Sequence, residues 1–513
     1  LLVARGGKPG CSNKGGAKIG IIRRTNSHAE QDLLADNQAD HPAEIDHRHR
    51  AARRPLMARV RLRNTCALLA LGLLIIWLRS RWAVLTPRRA WGPSPSDVVL
   101  GPLPFEVEWR VAVGCGFSGF FVEVALGFML PLASSGSFRL LCGKCDESFL
   151  TEQLTVKEAD AIRKTWVDES ARTAAQTRAS IVIEHGEPCS IRRWAASDRP
   201  LWVISRTMTE GDLAPEQADC LRAADEVWVP TWWHVERFVA AGVPRPQLRV
   251  VPEPVELETF APHVASASAA AAGKSQPFVF LSNFKWEQRK GWDLLLRAYW
   301  AEFKSAAKGR VLLRIKTYLP SWEPGPRDLN ELLDAFAAEQ GARRAELPPV
   351  ELVQGEDMPR AALRNLYAAA DAFVLPTRGE GWGLPIAEAM AMALPVIATN
   401  WSGPTALLST HNSYPLSREL TPLPGGQAEP SVRELRRAMR TVLEHPGEAA
   451  ARGARAREDM ARWYTPSAVA GLAWTRLRDA AAEACAKQPS HVACQRPHAI
   501  AAGESTPLTR PGL

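Results

Sequence analysis

Pro376-Thr377-Arg378-Gly379-Glu380-Gly381-Trp382-Gly383-Leu384-Pro385 stands between two runs of opposite character. Before it, Ala372–Leu375 is short, apolar and closed by proline, which reads as a buried strand. After it, Leu384–Ala393 is apolar with a helical period. The decapeptide is therefore a strand-to-helix turn. Gly381 and Gly383 let backbone N–H groups approach a phosphate at the helix N-terminus. Glu380 in the turn and Glu388 one turn into the helix, spaced E-x7-E, supply two separated acceptors for hydroxyls. A diphosphate with a sugar on one side and a ribose on the other matches that arrangement.

Working outward, Phe284-Lys285-Trp286-Glu287-Gln288-Arg289-Lys290-Gly291 follows a strand, Phe278–Asn283, and precedes a helix, Trp292–Ser305. Lys285 and Lys290, five apart across this loop, are expected to converge on the same anion. Further strands at Val311–Tyr318, Val350–Val353 and Pro395–Thr399 alternate with helices at Asp328–Glu339, Arg360–Ala370 and Pro404–Leu408. Such alternation means a parallel sheet wound on both faces. Three more helices fill Ser431–Glu444, Glu448–Trp463 and Ser467–Lys487.

An earlier block repeats the scheme. Its strands are Val107–Val113, Ser137–Cys142, Ile181–Glu184, Leu201–Ser205 and Glu226–Val229, with a long helix from Phe120 to about Leu132. Val250–Val251 ends the block. Between its first strand and first helix lies Gly114-x-Gly116-x-x-Gly119, which suits NAD with Asp146 as acidic partner, any phosphate, or simply a tight turn. Two doubly wound sheets face one another across a cleft lined by the carboxyl ends of their strands, and a ligand is expected there.

The run from Leu281 to about Leu408 resembles the C-terminal donor domain of GT-B glycosyltransferases, specifically the retaining group 1 family (CAZy family 4). The resemblance rests on the Lys285/Lys290 loop, on Asn365-Leu366-Tyr367-Ala368-Ala369-Ala370-Asp371, on Glu380 to Glu388, and on the stretch from Pro395 to Pro404. Val227–Thr231 and Val250–Pro252 look like that family's exit from the first domain. The likeness extends over about 107–485 and is weaker in the first domain. It implies that Lys285 and Lys290 hold the donor diphosphate, that Glu388 binds the ribose hydroxyls, and that Glu380 contacts the transferred sugar. Amides of Gly381, Trp382, Gly383 and Leu384 complete the cradle. The resemblance also places His185, in Ile181–Pro188, at a strand end facing the cleft, and brings Ser118 and Gly119 to the phosphates from the opposite wall.

The activity so implied is transfer of a hexosyl group from a nucleotide sugar to an acceptor hydroxyl on a glycan, lipid or protein. Retention, with the leaving phosphate accepting the acceptor's proton, needs no acid/base carboxylate pair, and the family mostly dispenses with a metal. Neither a metal site nor a cofactor is therefore expected. Two other readings stand beside it: a non-catalytic GT-B scaffold, and an NAD-dependent oxidoreductase, which leaves E-x7-E unexplained.

The domains expected are an acceptor-side domain over 107–262, a linker over 263–276, a donor domain over 277–487 and a disordered tail over 488–513. The formal net charge is +8, yet residues 1–90 hold 17 Lys and Arg against 6 Asp and Glu, leaving 46 against 49 in the rest. The folded part is slightly acidic, so no nucleic-acid partner is expected. The first methionine is Met57, and 1–56 are expected to be a disordered leader or an extension of the gene model. Thirteen apolar or Gly residues, Cys66 to Leu78, follow Arg59, Arg61 and Arg63. As a helix of about 20 Å they fall short of a bilayer core of about 30 Å, so 57–85 is read as an uncleaved signal anchor with snorkelling arginines and 86–106 as a stem. That places the protein in a membrane, single-pass, with its catalytic domain in the ER or Golgi lumen. The 9 cysteines are sparse and odd in number, which predicts no disulfide framework; Cys142-x-x-Cys145 is read as a local disulfide or two thiols. The sequon Asn400-Trp401-Ser402 lies in the expected donor-site turn and is expected to be unmodified.

Overall fold

The computed structural model describes residues 100–111, 121–142, 154–262, 277–304, 310–323, 328–356, 358–491 and 493–495. All lie within one compact unit, Pro87–Leu513. The leader, the anchor, most of the stem, the Gly114–Gly119 turn, the linker, Cys145 and the chain beyond 495 lie outside the described residues. Among the described residues, no helix is long and apolar enough to cross a membrane.

The first sheet contains β1 (Val107–Val111), β2 (Phe138–Cys142), β3 (Ile181–His185), β4 (Trp202–Arg206), β5 (Glu226–Val229) and β6 (Leu248–Val250), in the order β2-β1-β3-β4-β5-β6. The second contains β7 (Phe278–Lys285), β8 (Val311–Tyr318), β9 (Val350–Gln354), β10 (Ala372–Leu375), β11 (Val396–Thr399) and β12 (Tyr414–Leu416), in the order β12-β11-β10-β7-β8-β9. Every pair in both sheets is parallel. Helices cover both faces, so β1, β4, β10 and β11 are buried along their whole length; β10 and β11 are near-continuous apolar runs, whereas β1 buries Glu108 paired with Arg110 at 2.8 Å and β4 ends on the buried Ser205 and Arg206. The β12 strand escaped the sequence reading because it has three residues and a central proline.

The helix expected from Phe120 is π-wound over Phe121–Met129 before an α-helical turn, Leu130–Ala133. The expected helix at Pro404–Leu408 is a 3-10 turn, Gly403–Ala406. Four α-helices were not read either: Val156–Thr165, Ala174–Arg178, Pro215–Leu221 and Trp232–Ala240. The first starts on a capping box in which Thr155 and Glu158 satisfy each other's backbone N–H.

The termini of the described chain cross the expected boundaries. Leu103 and Phe105, in the expected stem, are buried in the first core. Val255 and Phe260 already belong to the second core. The last helix, Pro466–Lys487, returns to the first domain and buries Val469, Ala473, Leu477 and Ala481 there. Arg476 fastens it through Glu226, a buried carboxylate that also lies 4.0 Å from Arg249. Residues 488–491 and 493–495 fold back as turns closed by the Cys485–Cys494 disulfide. A second disulfide, Cys189–Cys220, joins the turn after β3 to the helix Pro215–Leu221. The expectation of no disulfide framework is thus corrected. The partners of the second bond are 31 residues apart, and only the adjacency of β3, β4 and β5 brings them together.

Candidate active site

The turn after β10 is built from inside. Arg378 is buried and forks onto Asp293 with two contacts of 2.9 Å, while its Nη2 also reaches Glu429 at 2.8 Å. Planar, bidentate pairing of this kind holds geometry as well as charge. The Glu380 N–H donates to Ser402 Oγ at 2.9 Å, and its carbonyl accepts from the Gly403 N–H at 3.0 Å. Gly383 opens the helix Leu384–Ala391 with φ of +102°, a backbone region that disfavours side chains. Pro385 carries no N–H and the Ile386 and Ala387 amides donate to the Gly383 carbonyl at 2.9 and 3.1 Å, so it is the Leu384 N–H that has no carbonyl of its own helix to bond at this N-terminus.

The loop after β7 meets this turn because β7 and β10 are neighbours. Lys290 Nζ donates to both Glu380 oxygens, at 2.9 and 2.7 Å, and both side chains are largely buried. Burial by itself raises the Glu380 carboxyl, but Lys290 and Arg289 beside it hold it below its ordinary value. Burial pulls the Lys290 ammonium down even against Glu380. Arg289 donates to the Gly379 carbonyl at 2.8 Å and to Glu287 at 3.1 Å, and lies 3.5 Å from Glu380. Sequence reasoning passed over Arg289, although it sits inside the quoted loop as a third cation.

Lys285 takes a different course. Its Nζ lies 5.3 Å above the ring of Trp322, in the turn after β8. Among the described residues the two lysines do not share a partner.

Glu388, one turn into the helix, is buried and accepts from the Tyr367 hydroxyl at 2.7 Å; that hydroxyl in turn accepts from Asn283 Nδ2 on β7 at 3.2 Å. Burial pushes the Glu388 carboxyl up to about 7, against the pull of Tyr367 and Lys316. The Tyr367 and Asn283 pair was within the recognised sequence runs, but no spacing rule connects it to Glu388.

Across the cleft, His185 ends β3. The Trp109 indole donates to its Nδ1 at 3.2 Å, which leaves the proton on Nε2, 3.0 Å from Glu123. Both ring nitrogens are thus engaged within the first domain. Burial, then Arg206, pulls the His185 imidazole down to about 3, so it is neutral at physiological pH. Arg206 pairs with Glu253 at 2.6 Å, and burial keeps the Glu253 carboxyl well above the usual range. Ser118 and Gly119 lie outside the described residues.

The segment after β4 joins the two walls. Glu210 lies 3.5 Å from Arg289, and the Asp212 N–H donates to the Gly425 carbonyl at 2.8 Å. His234 Nε2 braces the segment through the Thr209 carbonyl at 2.9 Å. Gly379 packs so closely on the Glu210 carbonyl that a Cβ there would collide with it. Among the described residues no group of three or more His, Cys, Asp or Glu is placed to hold a metal.

Two all-parallel, doubly wound six-stranded sheets facing one cleft define the GT-B architecture. Residues 275–419 match the family described as glycosyl transferases group 1. The chain is 30% identical over 215 residues to D-inositol 3-phosphate glycosyltransferase of Acidothermus cellulolyticus, over 40% of this chain and 46% of that protein. It is 29% identical over 269 residues to the protein of the same name from Kineococcus radiotolerans, over 50% and 58%. The chain therefore spans about half the length of the curated relatives it matches. Among solved structures, Anabaena HepE in complex with UDP and glucose superposes with a TM-score of 0.54 at 13% identity, over 73% of this chain and 100% of that one. At that identity the likeness speaks for the fold.

Proposed function

We propose that this protein is a retaining glycosyltransferase that moves a hexosyl group from a nucleotide sugar to an acceptor hydroxyl. The observation that carries the reading is Lys290 lying on Glu380 at the N-terminus of the Leu384–Ala391 helix, with Glu388 one turn further on. The names of the relatives and the UDP and glucose bound to HepE support the same class of donor.

In this reading the C1–O bond to the diphosphate breaks, and the leaving nucleoside diphosphate takes the electron pair. Lys290 and the helix N-terminus stabilise that added charge, which is largest in the transition state. The freed phosphate oxygen accepts the proton of the acceptor hydroxyl on the same face, and the new C1–O bond retains the anomeric configuration. Glu388 accepts from the ribose hydroxyls and Glu380 from the transferred sugar. His185 orients the wall opposite through Glu123 and Trp109. Charge stabilisation is assigned to protein groups, so activity is expected to survive EDTA. The acceptor hydroxyl belongs to a glycan, lipid or protein.

The lumenal, membrane-anchored placement belongs to the same proposal. It is supported by the Cys189–Cys220 and Cys485–Cys494 bonds, since disulfides persist in oxidising compartments.

A thermal-shift panel on the full chain with UDP, GDP, ADP and NAD tests the donor site. A ligand at a hundred times its dissociation constant adds about 2.7 kcal/mol, a rise of a few degrees. A rise with one nucleoside diphosphate is expected. A rise with NAD alone would overturn the reading.

A further inference from the structure

Between β12 and the helix Val432–Glu444 the chain forms an antiparallel pair, β13 (Leu420–Pro422) and β14 (Ala428–Pro430), that belongs to neither large sheet. A two-stranded hairpin is marginal on its own in water, and of the residues from Leu420 to Pro430 only Ala428 and Pro430 are buried. Its place is therefore fixed by what it is bonded to, and those partners lie on both walls of the cleft.

At the tip, the Gly425 carbonyl accepts from the Asp212 N–H of the first domain at 2.8 Å, and the Gly426 carbonyl accepts from the Trp401 indole at 2.8 Å. The approach leaves no room for side chains. A Cβ on Gly211 would lie 2.1 Å from the Gly425 carbonyl oxygen, and Gly426, at a φ of +76°, backs onto Asp212. At the base, the Ala428 N–H donates to the Arg378 carbonyl at 2.9 Å, and one Glu429 oxygen accepts from Arg378 Nε and Nη2 at 3.0 and 2.8 Å. Asp293 already balances the buried guanidinium through two contacts of 2.9 Å. Glu429, whose side chain is 40% exposed, is thus not needed to neutralise it. What Glu429 adds is a second fork, which fixes the direction of Arg378. Arg378 stands two residues before Glu380, and its own N–H donates to the Arg289 carbonyl at 2.7 Å.

We propose that this hairpin is a strap through which docking of the first domain sets the turn that carries Glu380, with Glu429 as a positioning residue acting through Arg378. The contacts run in one line, from Asp212 to Gly425, along β14 to Glu429, and from there to Arg378 and Glu380. The part played by Glu380 rests on the glycosyltransferase reading above; the coupling itself does not.

Two variants break the line at opposite ends, Gly211→Ala at the tip and Glu429→Ala at the base. Hydrogen exchange read by mass spectrometry on the full chain needs no substrate. Each variant is expected to speed exchange about ten-fold in the peptide 376–385, while the peptide over β8 keeps its wild-type rate, which a general loss of stability would not allow. The double variant is expected to show no more than the larger single effect, because both changes cut the same line. In hydrolysis of UDP-, GDP- or ADP-glucose, with water in place of the acceptor, kcat is expected to fall about ten-fold in both variants, with KM within about two-fold of wild type. A wild-type exchange rate at 376–385 in Gly211→Ala would overturn the strap. So would additive effects in the double variant, which would make tip and base independent. Faster exchange in both variants with an unchanged kcat would overturn the positioning role of Glu429. A wild-type chain that hydrolyses none of the three nucleotide sugars would overturn the donor reading, and the exchange rates would still decide the coupling.

Discussion

Lys290 is held by the Glu380 carboxylate, and that pairing has two consequences. The cation is fixed at the helix N-terminus before any phosphate arrives, so little reorganisation is left for the reaction. It also means that Lys290→Ala removes the stabilisation of the leaving diphosphate. A charge-assisted hydrogen bond of about 1.5–3 kcal/mol corresponds to a fall in kcat of about ten- to a hundred-fold, measurable as initial rates at saturating donor. Glu380→Gln keeps the shape and loses the charge, and it too is expected to lower kcat; full activity in that variant would remove Glu380 from the mechanism. Glu388 makes a pH prediction. Burial pushes its carboxyl up to about 7, and only the ionised form offers both oxygens to ribose hydroxyls. Donor affinity is therefore complete above about pH 7 and weakens as pH falls, with the donor KM rising by up to about ten-fold per unit. In Glu388→Gln, which does not titrate, the KM profile is expected to flatten over that window.

At the scale of elements, the site depends on turns that are fastened from behind. The turn after β10 is locked by Arg378 on Asp293 and Glu429 and by Ser402 on the Glu380 amide. The turn after β3, which begins at His185, is stapled instead by Cys189–Cys220. Closing a loop of 31 residues limits the unfolded chain by about 3–4 kcal/mol. The double variant Cys189→Ser, Cys220→Ser is expected to lose stability of that order, read from the midpoint of urea unfolding, and an unchanged midpoint would show the bond to be dispensable. The helix Pro466–Lys487 follows the same logic over a longer distance. Its alanine-rich face packs closely into the first core, and Arg476 meets Glu226, so the end of the chain closes the domain in which the described residues begin.

For the whole molecule, the contact that joins the two walls of the cleft is the segment from Arg206 to Asp212. It starts at a buried arginine clamped by Glu253, crosses the cleft, and lays Glu210 against Arg289 and its own backbone against Gly379 and Gly425. Gly379→Val puts a side chain where the Glu210 carbonyl lies, so the two walls are expected to part. Small-angle scattering should show a larger radius of gyration, and kcat/KM should fall about ten- to a hundred-fold through misplacement of the reacting groups. An unchanged scattering curve would mean that the segment yields locally. The sequence by itself determined the type of the longer strands and helices, because these bury faces that repeat every 2 or 3.6 residues whatever lies around them; the four unread helices and β12 are too short or too polar to show such a period. It also determined the two parallel sheets and the turn from Pro376 to Pro385, whose glycines and paired glutamates are local features. Only the tertiary structure decided which side chains meet. Lys290 and Glu380 are 90 positions apart, and the order β12-β11-β10-β7-β8-β9 makes them neighbours. The same order separates Lys285, five residues from Lys290, and turns it toward Trp322. Neither the return of the last helix nor the Cys189–Cys220 bond leaves any periodic trace, because both arise from contacts between faces that the chain assembles only once it is folded.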